Sequence, residues 1–139
     1  ERANVTLAIE NMETLATDSL TKVMQCVNHF DSPFLQAYVD AGNLLAMGHD
    51  LGEQLQLAKG RIAAFHIKDV LPGVCRDIPF GEGMVDFRQL FFEMKHIGFS
   101  GRILLEMWAD ASLDPLQEIS RAYRFILENM HAAGYSRRP

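Results

Sequence analysis

Four side chains able to hold a cation recur along this sequence at intervals of one structural unit: Glu10, Asp40, His66 and Glu106. Each closes a short apolar run (VTLAIE, LQAYVD, IAAFH and RILLE), and the intervals between them are 30, 26 and 40 residues. Two glutamates, an aspartate and a histidine form a hard, mostly oxygen donor set, suited to a divalent cation such as Zn2+, Mn2+ or Mg2+. Each residue also has a plainer reading. A carboxylate after a strand is commonly the N-cap of the next helix. That reading is weak for Glu10, because glutamate caps poorly. For Asp40 it stands level with the ligand reading, since Asp-Ala-Gly-Asn also suits an Asx turn. His66 alone fits a satisfied core histidine, and Glu106 alone an edge charge. Jointly they are harder to explain that way, because burying an unpaired ion costs several kcal/mol, and one shared cation relieves that cost at all four.

The elements that must position these groups alternate between strand and helix. Residues 5–11, 35–40, 62–67 and 102–108 are short apolar runs that read as strands. Between them, Leu20, Val23, Met24 and Val27 stripe a helix over 17–30, and Leu51, Leu55 and Ala58 mark a weaker one over 51–59. Asp86 with Gln89 is a capping-box start for a helix carrying Phe87, Leu90, Phe91 and Met94, which Gly98 stops. Asp114 and Pro115 open the longest helix, striped by Leu116, Ile119, Tyr123, Ile126, Leu127 and Met130. Gly42 is expected to close the second strand, and residues 71–85, rich in proline and glycine, to form a long shaped loop. Near-continuous apolar strands separated by amphipathic helices indicate parallel, right-handed βαβ units buried on both faces. In such folds ligands bind beyond the carboxyl ends of the strands, so four strand ends converge on one mouth. Met12, Met107 and Trp108 flank it, with core packing as their default reading.

Composition narrows the function classes. Of 139 residues 48% are hydrophobic and 22% charged, which suits a packed domain and excludes disorder. The net charge of −5 argues against a nucleic-acid footprint, and no apolar run is long enough to span a bilayer. Cys26 and Cys75 lack the spacing of a zinc or redox motif; a buried Cys26 and a loop Cys75 in a reducing cytoplasm are expected. Among the other histidines, His29 and His96 suit helix C-termini, His131 an exposed last turn, and His49 a loop near the mouth. The end Arg137-Arg138-Pro139 reads as a solvated tail. With Glu1 in place of an initiator methionine, the chain is expected to begin partway through a larger protein.

The ordered stretches LAIENM, YVDAGNL, IAAFHIKD, RDIPFGEGMVDF and LLEMW cover nearly the whole chain. Together they resemble the xylose isomerase-like TIM-barrel sugar-phosphate isomerases and epimerases, and within them the L-ribulose-5-phosphate (L-xylulose-5-phosphate) 3-epimerases of pentose and ascorbate breakdown. The HIKD…GEG…DF run carries most of the weight. The resemblance implies an α/β fold, a (β/α)8 barrel of about 250 residues, of which residues 1–139 would be the C-terminal half, strands five to eight. It implies that Glu10, Asp40, His66 and Glu106 bind a divalent metal, that Glu10 and Glu106 are also the acid/base pair, and that Arg76, Asn43 and Glu82 meet a ketose phosphate substrate. Related sugar epimerases often carry a histidine three residues after the aspartate; here Asn43 stands there, which leaves its role open. The phosphate is expected near the loop from Arg76 to Gly83 and residues 109–113. The implied chemistry is inversion at carbon 3 through a metal-stabilised enediolate, in a cytoplasmic homo-oligomer.

Two other readings stay open. The same scaffold supports a metal-dependent ketose–aldose or hydroxypyruvate-type isomerase. An endonuclease-IV-like phosphodiesterase is disfavoured by the acidic charge and the small number of mouth histidines. Alternatively the chain is a non-catalytic half-barrel that pairs with a second copy through its open sheet edges; catalysis by this half alone is not expected.

Overall fold

The computed structural model describes residues 4–108 and 112–136. Glu1, residues 109–111 and the basic end at 137–139 lie outside them, with the expectations attached to them. Four parallel strands, β1 (Leu7–Glu10), β2 (Leu35–Asp40), β3 (Ile62–Ile67) and β4 (Arg102–Leu105), pair in chain order. The helices are α1 (Leu20–Phe30), α2 (Ala41–Ala46), α3 (Leu51–Leu57), α4 (Phe87–His96) and α5 (Pro115–Ala132). The alternation read from sequence is therefore present, as a four-stranded piece of a TIM barrel. Among the described residues, no helix is long and apolar enough to cross a membrane.

Helix starts follow the expected chemistry. Ser19, Asp50, Asp86 and Asp114 each accept a hydrogen bond from a backbone N–H in the first turn that follows, satisfying donors that the helix itself leaves unpaired. The capping box at Asp86 is half formed: Asp86 accepts from the Gln89 N–H at 2.9 Å, but the Gln89 side chain turns forward to Glu93. The strands at positions 5–11 and 102–108 are shorter than their apolar runs, because pairing covers only Leu7–Glu10 and Arg102–Leu105. Helix α2 was not foreseen. Gly42 lies inside it and does not end a strand.

Successive strand residues point to opposite sides of the sheet. Ala37, Val39, Phe65 and Ile67 join Leu20, Val23, Leu55, Phe87, Leu90 and Phe91 in one buried cluster beneath the helices. A register shift between Ala37 and Tyr38 makes Ala63 an unpaired extra residue in β3. This bulge resets the alternation, so Ile62 packs on the core side together with Phe65 and Ile67. The opposite side carries Tyr38, Asp40, His66 and Leu104, and Leu104 there is 54% exposed. The expectation of strands buried on both faces is corrected accordingly: helices cover one face, while the second faces the lumen of a barrel that four strands do not close.

Three further expectations are corrected. The apolar stripe of α5 is buried at Ile126 but exposed at Leu116, Ile119 and Tyr123. The helix packs through its C-terminal half, with Phe125 edge-on to Phe87, and its first turns run past the edge of the core. Cys26 is exposed, whereas Cys75 lies in the loop as expected and is itself buried. Cys26 falls between the core positions Met24 and Val27 on the outward arc of α1, and Cys75 turns in from the loop to pack with Ala46 and Val70. Finally, Met12, Met107 and Trp108 are not core residues; Met12 is exposed, and Met107 and Trp108 line a cavity of about 450 Å³ with Phe80, Glu82 and Arg121.

Candidate metal centre

The carboxyl ends of all four strands contribute to one cluster. Glu10, Asp40, His66 and Glu106 each offer a donor atom, and these atoms all lie within 4.8 Å of one another. Register explains the meeting. Asp40 pairs with His66 across β2 and β3, and the Glu106 N–H donates to Ile67 O at 2.9 Å, extending the β3–β4 pairing by one residue. His66 Nδ1 lies 2.6 Å from Glu10 Oε1 and 3.4 Å from Glu106 Oε2. The Tyr38 ring packs against the imidazole at a centroid distance of 4.3 Å. Burial, reinforced by Glu10 and Glu106, pushes the Tyr38 hydroxyl pKa up.

Asp40 fills both roles that the sequence left level. Its Oδ1 accepts from the Asn43 N–H at 2.9 Å and caps α2. Its Oδ2 is buried without an aligned hydrogen bond, although Lys68 Nζ approaches within 2.8 Å as an ion pair. Burial pushes the Asp40 carboxyl up to about 6, against the opposing pull of Lys68 and of the Asn43 N–H. Lys68 also reaches Glu106 Oε1 at 3.1 Å. Burial works against its charge, but Asp40 and Glu106 together outweigh that and raise its pKa. A buried carboxylate oxygen free of hydrogen bonds, within reach of an imidazole and two more carboxylates, fits a divalent cation in both chemistry and spacing.

Three residues that the sequence reading passed over hold this arrangement. The Asn11 side chain clasps the Asp40 backbone in both directions, donating from Nδ2 to the carbonyl at 2.8 Å and accepting from the N–H at 2.9 Å. This joins the end of β1 to the end of β2. Lys68 follows His66 by two positions, so the period of a strand already placed it on the same face. Gly42 admits it: a Cβ there would meet Lys68 Cγ at 2.7 Å and Val70 Cγ1 at 2.9 Å. Asp69, 2% exposed, turns the other way. Its two oxygens accept from the N–H groups of Val70, Gly81, Gly83 and Val85 at 3.0, 2.8, 2.9 and 3.2 Å. This one carboxylate gathers the loop between β3 and α4, and Gly83 lies so close that a Cβ would meet Val70 O at 2.4 Å.

The expected substrate residues are spread around the mouth. Asn43 is buried and donates from Nδ2 to Asn11 O at 3.1 Å, while its Oδ1 lacks a hydrogen-bond partner. Arg76 is exposed on the loop and pairs with Glu13 from the segment after β1. Glu82 is exposed and lines the cavity beside Trp108. His49 lies between α2 and α3, and His29 and His131 are exposed in the last turns of α1 and α5, as expected.

Comparison with known proteins follows the same outline. The family model described as xylose isomerase-like TIM barrel matches residues 1–129. The L-ribulose-5-phosphate 3-epimerase UlaE of Escherichia coli O1:K1 is 41% identical over 133 residues, 96% of this chain and 47% of the relative. Among solved structures, an L-ribulose 3-epimerase superposes with a TM-score of 0.80 at 18% identity, over 99% of this chain and 54% of the other. An IOLI protein with a bound zinc atom gives 0.78 at 21% identity, over 98% and 52%. The chain spans about half the length of the relatives it matches.

Proposed function

As a member of the xylose isomerase-like TIM barrel family, this chain, we propose, supplies strands five to eight and the metal centre of a sugar-phosphate 3-epimerase that interconverts L-ribulose 5-phosphate and L-xylulose 5-phosphate. The observation that carries the reading is the convergence of Glu10, Asp40, His66 and Glu106 from four consecutive strand ends. The similarity to an L-ribulose-5-phosphate 3-epimerase supports the choice of substrate.

A divalent cation held by these four residues would supply Lewis acidity toward the carbonyl and hydroxyl oxygens of the ketose. The remaining work falls to side chains. The hydrogen on carbon 3 is acidified by the carbonyl at carbon 2. Glu10 and Glu106 come from the two outer strands and both reach His66 Nδ1, so substrate held at that edge of the imidazole has a carboxylate from each outer strand beside it. One carboxylate removes the proton; the other, in its acid form, returns a proton to the opposite face. Lys68 anchors Glu106 through Oε1, leaving Oε2 toward the centre. Asn43 Oδ1, with no partner of its own, is placed to accept from a sugar hydroxyl. Arg76, on the loop that Asp69 gathers, binds the phosphate-bearing end, and Glu82, on the same loop beside Trp108, accepts from sugar hydroxyls. Arg76 must leave Glu13 to reach the phosphate.

The test is exchange in heavy water with the full-length protein and L-xylulose 5-phosphate. Deuterium is expected at carbon 3, with loss of epimerisation in both Glu10→Gln and Glu106→Gln. Deuterium at carbon 1 would instead establish an aldose–ketose isomerase. Near-normal epimerisation in either variant would remove the two-base assignment.

A further inference from the structure

The candidate centre contains more charge than its ligands. Three of the candidate ligands, Glu10, Asp40 and Glu106, are carboxylates, and the fourth, His66, is an imidazole. The Lys68 ammonium lies 2.8 Å from Asp40 Oδ2 and 3.1 Å from Glu106 Oε1, 4% exposed in its side chain. It therefore belongs to the centre as a buried internal cation. Gly42 leaves room for its stem, since a Cβ there would meet Lys68 Cγ at 2.7 Å. Its head lies 5.5 Å from the Trp108 ring centroid, a further favourable contact for a cation.

We infer that Lys68 sets the charge of the metal centre at two negative units and so selects a divalent over a trivalent cation. This rests on the metal reading given above. Three carboxylates alone would match a trivalent ion; three carboxylates with one ammonium match a divalent one. The Coulomb energy between the ammonium and a bound ion is proportional to the charge of that ion. Lys68 therefore penalises a trivalent ion half as much again as a divalent one, with the same four ligands in place. Lys68 is a specificity-determining residue that need not touch either the metal or the sugar.

The experiment measures dissociation constants for Mn2+ and Tb3+ in the intact protein, in Lys68→Met and in Lys68→Gln, by calorimetry, with circular dichroism confirming the fold. Methionine keeps the length of the stem without charge; glutamine keeps a donor for Asp40 without charge. The ratio of the two constants is the readout, because looser positioning of Asp40 would weaken Tb3+ more than Mn2+ and so move the ratio opposite to the expected direction. In both variants the preference is expected to move toward Tb3+ by at least about fivefold, the effect of removing a unit charge about 4 Å from the ion at the dielectric of water. An unchanged ratio in variants that still bind Mn2+ would overturn the inference and leave the metal centre standing. Binding of Mn2+ that survives intact in Asp40→Asn and His66→Ala would place the ion elsewhere, and would overturn both readings together.

Discussion

Replacing Asp69 tests how far one buried carboxylate governs the loop over the site. Its oxygens accept four backbone N–H groups, two from residues beside the β3 end and the start of α4 and two from the glycines between. Net contributions of about 1 kcal/mol per hydrogen bond, the usual value for neutral partners, give about 4 kcal/mol for Asp69→Ala. A charged acceptor raises each bond, while water reaching exposed Gly81 in a loosened loop lowers the total. Asp69→Asn keeps the shape and one acceptor oxygen. Whichever way the amide turns, two N–H donors then face an NH2 group, so about 2 kcal/mol is expected. Against a total stability of roughly 5–15 kcal/mol both losses are large. Urea unfolding reads them as a lowered midpoint at constant slope, and amide exchange should lose protection first at Gly81 and Gly83. If Asp69→Asn lies within about 0.5 kcal/mol of the parent, as surface changes usually do, the carboxylate does not hold the loop and the reasoning fails.

Phe91→Ala, in the buried cluster, should cost about 3–5 kcal/mol in urea unfolding, whereas Leu116→Ala, 74% exposed on α5, should stay within about 0.5 kcal/mol; equal effects would mean that α5 is seated differently. Gly83→Ala should cost at least about 1–3 kcal/mol, because the clash is with backbone and cannot be relieved by a rotamer change. Iodoacetamide should label exposed Cys26 in the folded protein and spare Cys75. Burial pushes the Cys75 thiol up from its ordinary 9.0, so the thiolate is scarcer at any given pH and its slow labelling should still be climbing above pH 9; mass spectrometry of the adducts decides this. Mn2+ at about a hundred times its dissociation constant should stabilise the protein by about 2.7 kcal/mol. A thermal scan should show that gain vanish with chelator and in Asp40→Asn.

The fold was legible because its signals are local. Apolar runs, amphipathic stripes and acidic caps at Asp86 and Asp114 each act within a few residues. The four candidate ligands were legible because parallel strands place their ends together, so position along the chain converts directly into position in space. Other features depended on distant partners. Helix α2 follows β2 without a break, and its cap is the same Asp40 that serves the cluster, so no turn residue announced it. The bulge at Ala63 depends on a register that becomes visible only against β2. Asn11 reads as an ordinary polar residue until Asp40, 29 residues later, arrives to be clasped. In α5 the stripe was read correctly as apolar, but periodicity shows which residues share a face and not whether another element covers that face.

The meeting of Glu10 with Glu106 also measures the shape of the sheet. These residues close the first and last of four strands, and neighbouring strands lie about 4.8 Å apart, so a flat sheet would hold the two backbones roughly 14 Å from each other. Yet their carboxylates both reach the same imidazole nitrogen. The strands must therefore curl toward the cluster, and the cluster acts as a gauge of that curl. Flattening the sheet would draw the outer carboxylates off His66. By reciprocity of linked equilibria, whatever draws the four groups together bends the sheet, and whatever bends the sheet draws the groups together. Curling the sheet and assembling the centre are then coupled equilibria, observable from either end.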